Sequence, residues 1–148
     1  MKLLVSRVKY ADILIDNKIK RTIQKGILVY VGFSIEDEKI DEKVIDKSIN
    51  KILSLRFFED ESGKLKKNVV EENKEIMIVS NFSLYARNKK GTSLDFTKSL
   101  NSESAKLIYD KFLKELKNRY EKVVSGEFKS DMQITSLADG PLNVILEY

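Results

Sequence analysis

The sequence predicts an α+β fold, in which a mixed or antiparallel sheet curls into a barrel-like layer with two long amphipathic helices packed on it. Three observations carry that expectation. Both ends of the chain are rich in β-branched and aliphatic runs, two central stretches have helical periodicity, and no segment repeats another. With 148 residues, 42% apolar and 34% charged, the chain suits one core, and a single domain over 1–148 is expected.

In chain order, residues 2–8 and 10–15 read as strand, Asp16-Asn17-Lys18 as a turn, and Ile19 to Ile23 as the returning strand. The run Ile27-Leu28-Val29-Tyr30-Val31-Gly32-Phe33 is almost wholly apolar, which predicts a central strand covered on both faces. From Asp37 onward, Ile40, Val44, Ile45, Ile49, Ile52, Leu53 and Arg56 recur among charged residues at helical spacing. One helix is expected there, capped by Asp37 or a near neighbour. Phe57-Phe58 follow, then a turn at Asp60-Glu61-Ser62-Gly63.

Glu75 to Val79 predicts a second buried strand that continues through Ser80-Asn81-Phe82-Ser83-Leu84-Tyr85, growing polar towards its end. Residues 86–100 read as a loop carrying Arg87, Lys89, Lys90 and Gly91. Such a cluster suits phosphate contact, and it equally suits a solvated loop. Ser102 is expected to cap a helix whose core face is Ala105, Ile108, Tyr109, Phe112, Leu113, Leu116 and Tyr120. Strands at Val123 to Phe128, Met132 to Leu137 and Leu142 to Tyr148 complete the chain, with Asp139-Gly140-Pro141 as a turn between the last two.

The composition excludes much chemistry. There is no Cys and no His, which removes disulfides, thiolate nucleophiles, the usual zinc sites and every Ser-His or Cys-His pair. No metal or other cofactor is expected. Net charge is +4 and pI near 9.1, which permits a polyanionic partner. Apolar runs are far shorter than a membrane span and the first residues lack a signal-peptide core, so a cytoplasmic protein without membrane association is expected.

Two segments stand out as candidate sites. Gly140-Pro141 contains the only proline, and a glycine before proline lets the backbone turn sharply and present its carbonyls, either to a ligand or simply within a turn. The peptide bond between them is expected trans from residue statistics alone, since about 5–6% of X-Pro bonds are cis. Ser80 and Ser83 stand at the end of a core strand, where rigid support suits a site, although hydroxyls there also satisfy nearby backbone groups.

Together these segments resemble the D-aminoacyl-tRNA deacylases of the D-tyrosyl-tRNA deacylase type. Ser80-Asn81-Phe82-Ser83-Leu84 is similar to the family's Ser-Gln-Phe-Thr-Leu strand end, and Ala138-Asp139-Gly140-Pro141-Leu142-Asn143 to its Asn-x-Gly-Pro-Val-Thr turn. Ser6-Arg7-Val8, Leu55-Arg56-Phe57-Phe58 to Gly63-Lys64, and Gly126-Glu127-Phe128 to Met132 hold the register between them. The resemblance implies a homodimeric hydrolase that frees D-amino acids, and wrongly attached glycine, from tRNA. It implies catalysis at Ser80, Asn81 and Ser83, and substrate binding by Phe82, Met132, Gly140 and Pro141. It further implies a cis Gly140-Pro141 bond that reaches the partner subunit's pocket, holds the substrate amino group and excludes an L side chain.

Departures from the pattern are Asn81 for Gln, Ser83 for Thr, Asn143 for Thr, and Ser93-Leu94-Asp95-Phe96 where Arg-Pro-Ser-Phe is usual. An aminoacyl ester is already activated, so positioning, oxyanion stabilisation and a guided water suffice. Backbone N–H groups near Asn81 to Ser83 are the candidate oxyanion donors. The attacking group is either Ser83, for which no His is present, or a water assisted by the terminal ribose 2′-OH, as the resemblance implies. The alternative function is a catalytically impaired tRNA-binding dimer on the same fold.

Overall fold

The computed structural model describes residues 1–88 and 91–148. Its first strand, β1 (Lys2–Ile15), is one element where the sequence predicts two runs, because Leu3, Val5, Val8, Ala11, Ile13 and Ile15 all find apolar cover. The turn at Asp16 and Asn17, both with positive φ, returns the chain as β2 (Ile19–Ile23). Next comes β3 (Gly26–Gly32), and one edge of β1 pairs antiparallel first with β3 and then with β2.

A short 3-10 turn, Ile35–Lys39, precedes α1 (Glu42–Ser54), so the first helix begins later than the pattern suggests. Its cap is Asp41, whose carboxylate accepts from Lys43 N, and both Ile40 and Arg56 fall outside it. Asp37 is occupied elsewhere. Its carboxylate accepts from Ser34 N at 2.7 Å and from the Met1 ammonium at 2.6 Å. A small ribbon, β4 (Phe58–Glu59) with β5 (Leu65–Lys67), leads to β6 (Glu75–Ser80), which pairs parallel with β3.

The long helix α2 (Ser102–Arg119) is capped by Asn101, one residue before the expected Ser102, because the Asn101 side-chain Oδ1 accepts from Ser104 N. Of its predicted core face, Ala105, Ile108, Tyr109, Phe112 and Leu116 are buried within the helix and Tyr120 is buried just beyond it. The strand predicted over 123–128 is only β7 (Val123–Ser125), parallel to β6. The last element is β8 (Met132–Glu147), which pairs antiparallel along the other edge of β1.

The sheet is therefore mixed, ordered β2-β1-β3-β6-β7 with β8 on the second side of β1. Its two ends meet: Arg21 of β2 donates to the Ser125 carbonyl and pairs with Glu127 at 2.6 Å. That curl creates two cores and explains the fully apolar strands. Ile27, Val29, Val31, Ile76 and Ile78 face α1 and α2. Leu28, Met77 and Val79 face inward, against Val8, Ala11, Ile13 and Ile23. Each of these buried side chains larger than Ala11 contributes roughly 1.5–3 kcal/mol. Among the described residues no helix is long and apolar enough to cross a membrane.

β8 corrects the expected hairpin. Residues 132–138 and 143–147 both pair with β1, so the chain does not turn back at Gly140-Pro141. Ala138 pairs with Val8 and Asn143 with Ser6, and the segment Asp139 to Leu142 bulges out opposite Arg7.

Candidate active site

The polar end of β6 does not stay extended. After Ser80 the chain enters a 3-10 turn, Phe82–Tyr85, because Asn81 offers the backbone a cap: its Oδ1 accepts from Ser83 N at 3.0 Å and from Ser83 Oγ. The residue expected to work through its amide thus spends its carbonyl on the turn. Gly32 makes the arrangement fit, since a Cβ there would lie 2.7 Å from the Asn81 carbonyl oxygen. Ser99 Oγ donates to the Phe82 carbonyl at 3.0 Å, and the Phe96 ring lies 5.1 Å from that of Phe82, so the neighbouring loop braces the turn.

Against this turn lies a pocket of about 440 Å³. Ser80, Asn81 and Phe82 form one wall, Phe33, Leu100, Ser102 and Ala105 another, and Phe128 to Ser130 with Met132 a third. Four of the seven residues singled out from sequence therefore meet here. Ser83 stands next to the pocket, exposed, with its hydroxyl turned to Asn81. Gly126 makes room for Met132, whose sulfur would lie 2.5 Å from a Cβ at that position. The Phe128 ring in turn rests 5.6 Å from Tyr109 of α2.

The backbone donors sort themselves. Asn81 N donates to Val31 O at 2.7 Å and Ser83 N to Asn81 Oδ1, whereas Phe82 N, first in the turn, has no acceptor among the described residues. One donor of the expected set is thus left for a ligand. Neither nearby phenol supplies a base near neutral pH. Burial lifts Tyr109 well above the ordinary phenol value, and its hydroxyl donates to Ile78 O at 3.3 Å. Burial, helped by the Asp37 charge, pushes Tyr85 up to about 12. No carboxylate lines the pocket among the described residues.

Gly140 and Pro141 are exposed and do not line this pocket. The bond between them is cis, where residue statistics alone favour trans. Gly140 has φ +127, open to glycine and costly for other residues. Arg7 holds the bulge from beneath: Nε donates to Asp139 O at 3.0 Å and Nη1 to Phe57 O at 2.8 Å. Asp139 also brings its carboxylate to 3.4 Å from Arg7 Nε.

On the far side of the 3-10 turn a smaller hollow of about 270 Å³ contains Lys2, Glu36, Tyr85, Arg87 and Lys98. Its cations are paired, Lys2 with Glu147, Arg87 with Asp95 and Lys98 with Glu36. Of the basic loop cluster, Lys89 and Lys90 lie outside the described residues. Sequence reasoning missed Gly32, Ser99, Ser102 and Lys129 as parts of the site. Only Gly32 carried a signal, as a glycine inside an otherwise apolar strand.

The family model described as D-Tyr-tRNA(Tyr) deacylase matches residues 4–147. The D-aminoacyl-tRNA deacylase of Saccharomyces cerevisiae is 42% identical over 150 residues, spanning 99% of this chain and 98% of that protein. That of Clostridium kluyveri is 39% identical over 147 residues, spanning 99% and 97%. Among solved structures, the c-Myc DNA Unwinding Element Binding Protein superposes with a TM-score of 0.90 at 37% identity, covering 100% of this chain and 99% of its own. A probable eukaryotic D-amino acid tRNA deacylase superposes at 0.87 over 98% of this chain with 15% identity, a likeness of fold.

Proposed function

The chain belongs to the D-Tyr-tRNA(Tyr) deacylase family, hydrolases acting on ester bonds, and we propose that it cleaves D-aminoacyl-tRNA at a site shared by two copies. The observation that carries this reading is a separation. The pocket with its free Phe82 N–H and the exposed Gly140-Pro141 bulge lie apart within one chain. A second copy would bring the bulge of one chain to the pocket of the other. Supporting this, among the described residues β8 pairs only with β1, and Leu137 (47% exposed) and Ile145 (63% exposed) leave apolar surface along it.

In this arrangement the chiral carbon sits at the pocket mouth, facing the partner's Gly140-Pro141 carbonyls. The interior, walled by Phe33, Leu100, Phe128 and Met132, then receives the other end of the substrate, the terminal adenosine. Phe82 N–H donates to the oxyanion that forms as water attacks the ester carbonyl. The terminal ribose 2′-OH assists that water, which accords with a pocket lined by no carboxylate among the described residues and with a Ser83 hydroxyl already donated to Asn81. Backbone walls reject an L side chain by collision, and glycine, with none, passes. Ser80 supports the ribose side of the wall.

The test is to incubate the protein with matched D- and L-tyrosyl-tRNA and follow ester loss against the uncatalysed rate. Rapid loss of the D form alone is expected. Equal loss of both, or loss of neither, would overturn the reading.

A further inference from the structure

Lys129 is the one charged side chain among the described residues that line the pocket. It also stands in an unusual backbone state. Among the described residues four that are not glycine have positive φ, and three of them, Asp16, Asn17 and Asn73, are of the types that tolerate it. The fourth is Lys129, at φ +67. Such a conformation is strained for a lysine and persists only where the surroundings impose it.

The surroundings do impose it. Gly126 N donates to Ile78 O at 2.9 Å on one side, and Asp131 N to Asp16 Oδ1 at 3.0 Å on the other. Phe128 is seated on Tyr109, and Glu127 is taken by Arg21. Of the two carboxylates nearest in sequence, Glu127 is paired with Arg21, and among the described residues Lys129 pairs with neither Glu127 nor Asp131. The cations of the neighbouring hollow differ, since each of them has a carboxylate.

We propose that Lys129 is the counter-charge for the phosphate on the 5′ side of the terminal adenosine. The inference rests on the reading above, in which adenosine fills the pocket. An adenosine seated among apolar walls leaves its 5′-phosphate at the rim, and an ammonium held there by a clamped turn meets that charge. Lys129 thereby distinguishes the end of a nucleic acid from a free aminoacyl nucleoside.

The experiment compares two substrates that differ in one group, the D-tyrosyl esters of adenosine and of adenosine 5′-monophosphate. The quantity read is the ratio of their kcat/KM values. In Lys129→Gln the preference for the phosphate-bearing ester is expected to fall about fivefold, and Lys129→Arg restores it. Lys129→Asn, better suited to positive φ, gives the same loss with the turn relaxed. On D-tyrosyl-tRNA the slope of log kcat/KM against log salt is expected to drop by about 0.7 in both neutral variants. An unchanged ratio in both of them would overturn the proposal. If the unsubstituted protein cleaves none of these esters, the deacylase reading itself fails, a result seen before any variant is made.

Discussion

The end of β6 and the bulge of β8 are built by opposite means. At the end of β6 the turn is braced within the chain: Asn81 caps it, Ser99 holds the Phe82 carbonyl, and Gly32 allows the close approach. The bulge is held from beneath, by Arg7 and by Leu142 packed against the main core, while Gly140 and Pro141 are exposed. Chemistry that depends on hydrogen-bond geometry is completed by local contacts. If the bulge selects by shape, as proposed, its wall is finished only when a second copy faces it.

The largest effect that would break this contrast is at Pro141. In Pro141→Ala, discrimination against L-tyrosyl-tRNA is expected to fall roughly 10²-fold while the D substrate is still cleaved. Unchanged rejection in a folded variant would sever the bulge from selectivity. Asn81→Ala should act on the other region, lowering kcat roughly thirtyfold as the turn shifts Phe82 N–H, and costing about 1 kcal/mol of stability for the lost cap.

Mixing those two variants sharpens the comparison. If the regions meet between copies, a hybrid has one site with an intact pocket and an intact bulge, so random exchange gives selective activity in about a quarter of the sites. If they meet within one chain, no mixture recovers it. Arg7→Gln comes next. Losing its bonds to Asp139 O and Phe57 O should cost about 2 kcal/mol in denaturant unfolding and relax chiral discrimination about tenfold, with kcat on the D ester little changed. The smallest effect is expected at Ser83→Ala, where deacylation should persist within about fivefold, since its hydroxyl is already donated to Asn81. Abolished activity in a folded protein would restore Ser83 as a nucleophile.

Much of the fold was legible because periodicity reports burial. The apolar run 27–33 and the α2 face from Ala105 to Tyr120 needed no partner to be recognised, only their own spacing. The boundaries were less so. Asp37 reads as a helix cap but is claimed by Ser34 and Met1, and Asp41 takes its place, a competition that a linear reading cannot decide. The site divided in the same way. Ser80, Asn81, Phe82 and Met132 were named from residues and resemblance, and they meet in one pocket. Lys129 was not named, because a lysine in a polar turn looks like solvated surface until the turn is seen at a pocket rim.

By itself the sequence determined the first hairpin, the two helices, the two-sided burial of the central strands, the lack of His and Cys side chains, and the position of the one Gly-Pro step. Those follow from residue types and local spacing, which travel with the chain wherever it goes. Only the tertiary structure decided that Gly140-Pro141 interrupts a single strand instead of turning it, since that depends on β1 pairing with both halves and on Arg7, more than 130 residues away, holding the excess backbone. It likewise decided which backbone donor remained free at Phe82, because hydrogen-bond supply is settled by what lies across space: Val31 takes the N–H before it, and the Asn81 side chain the one after.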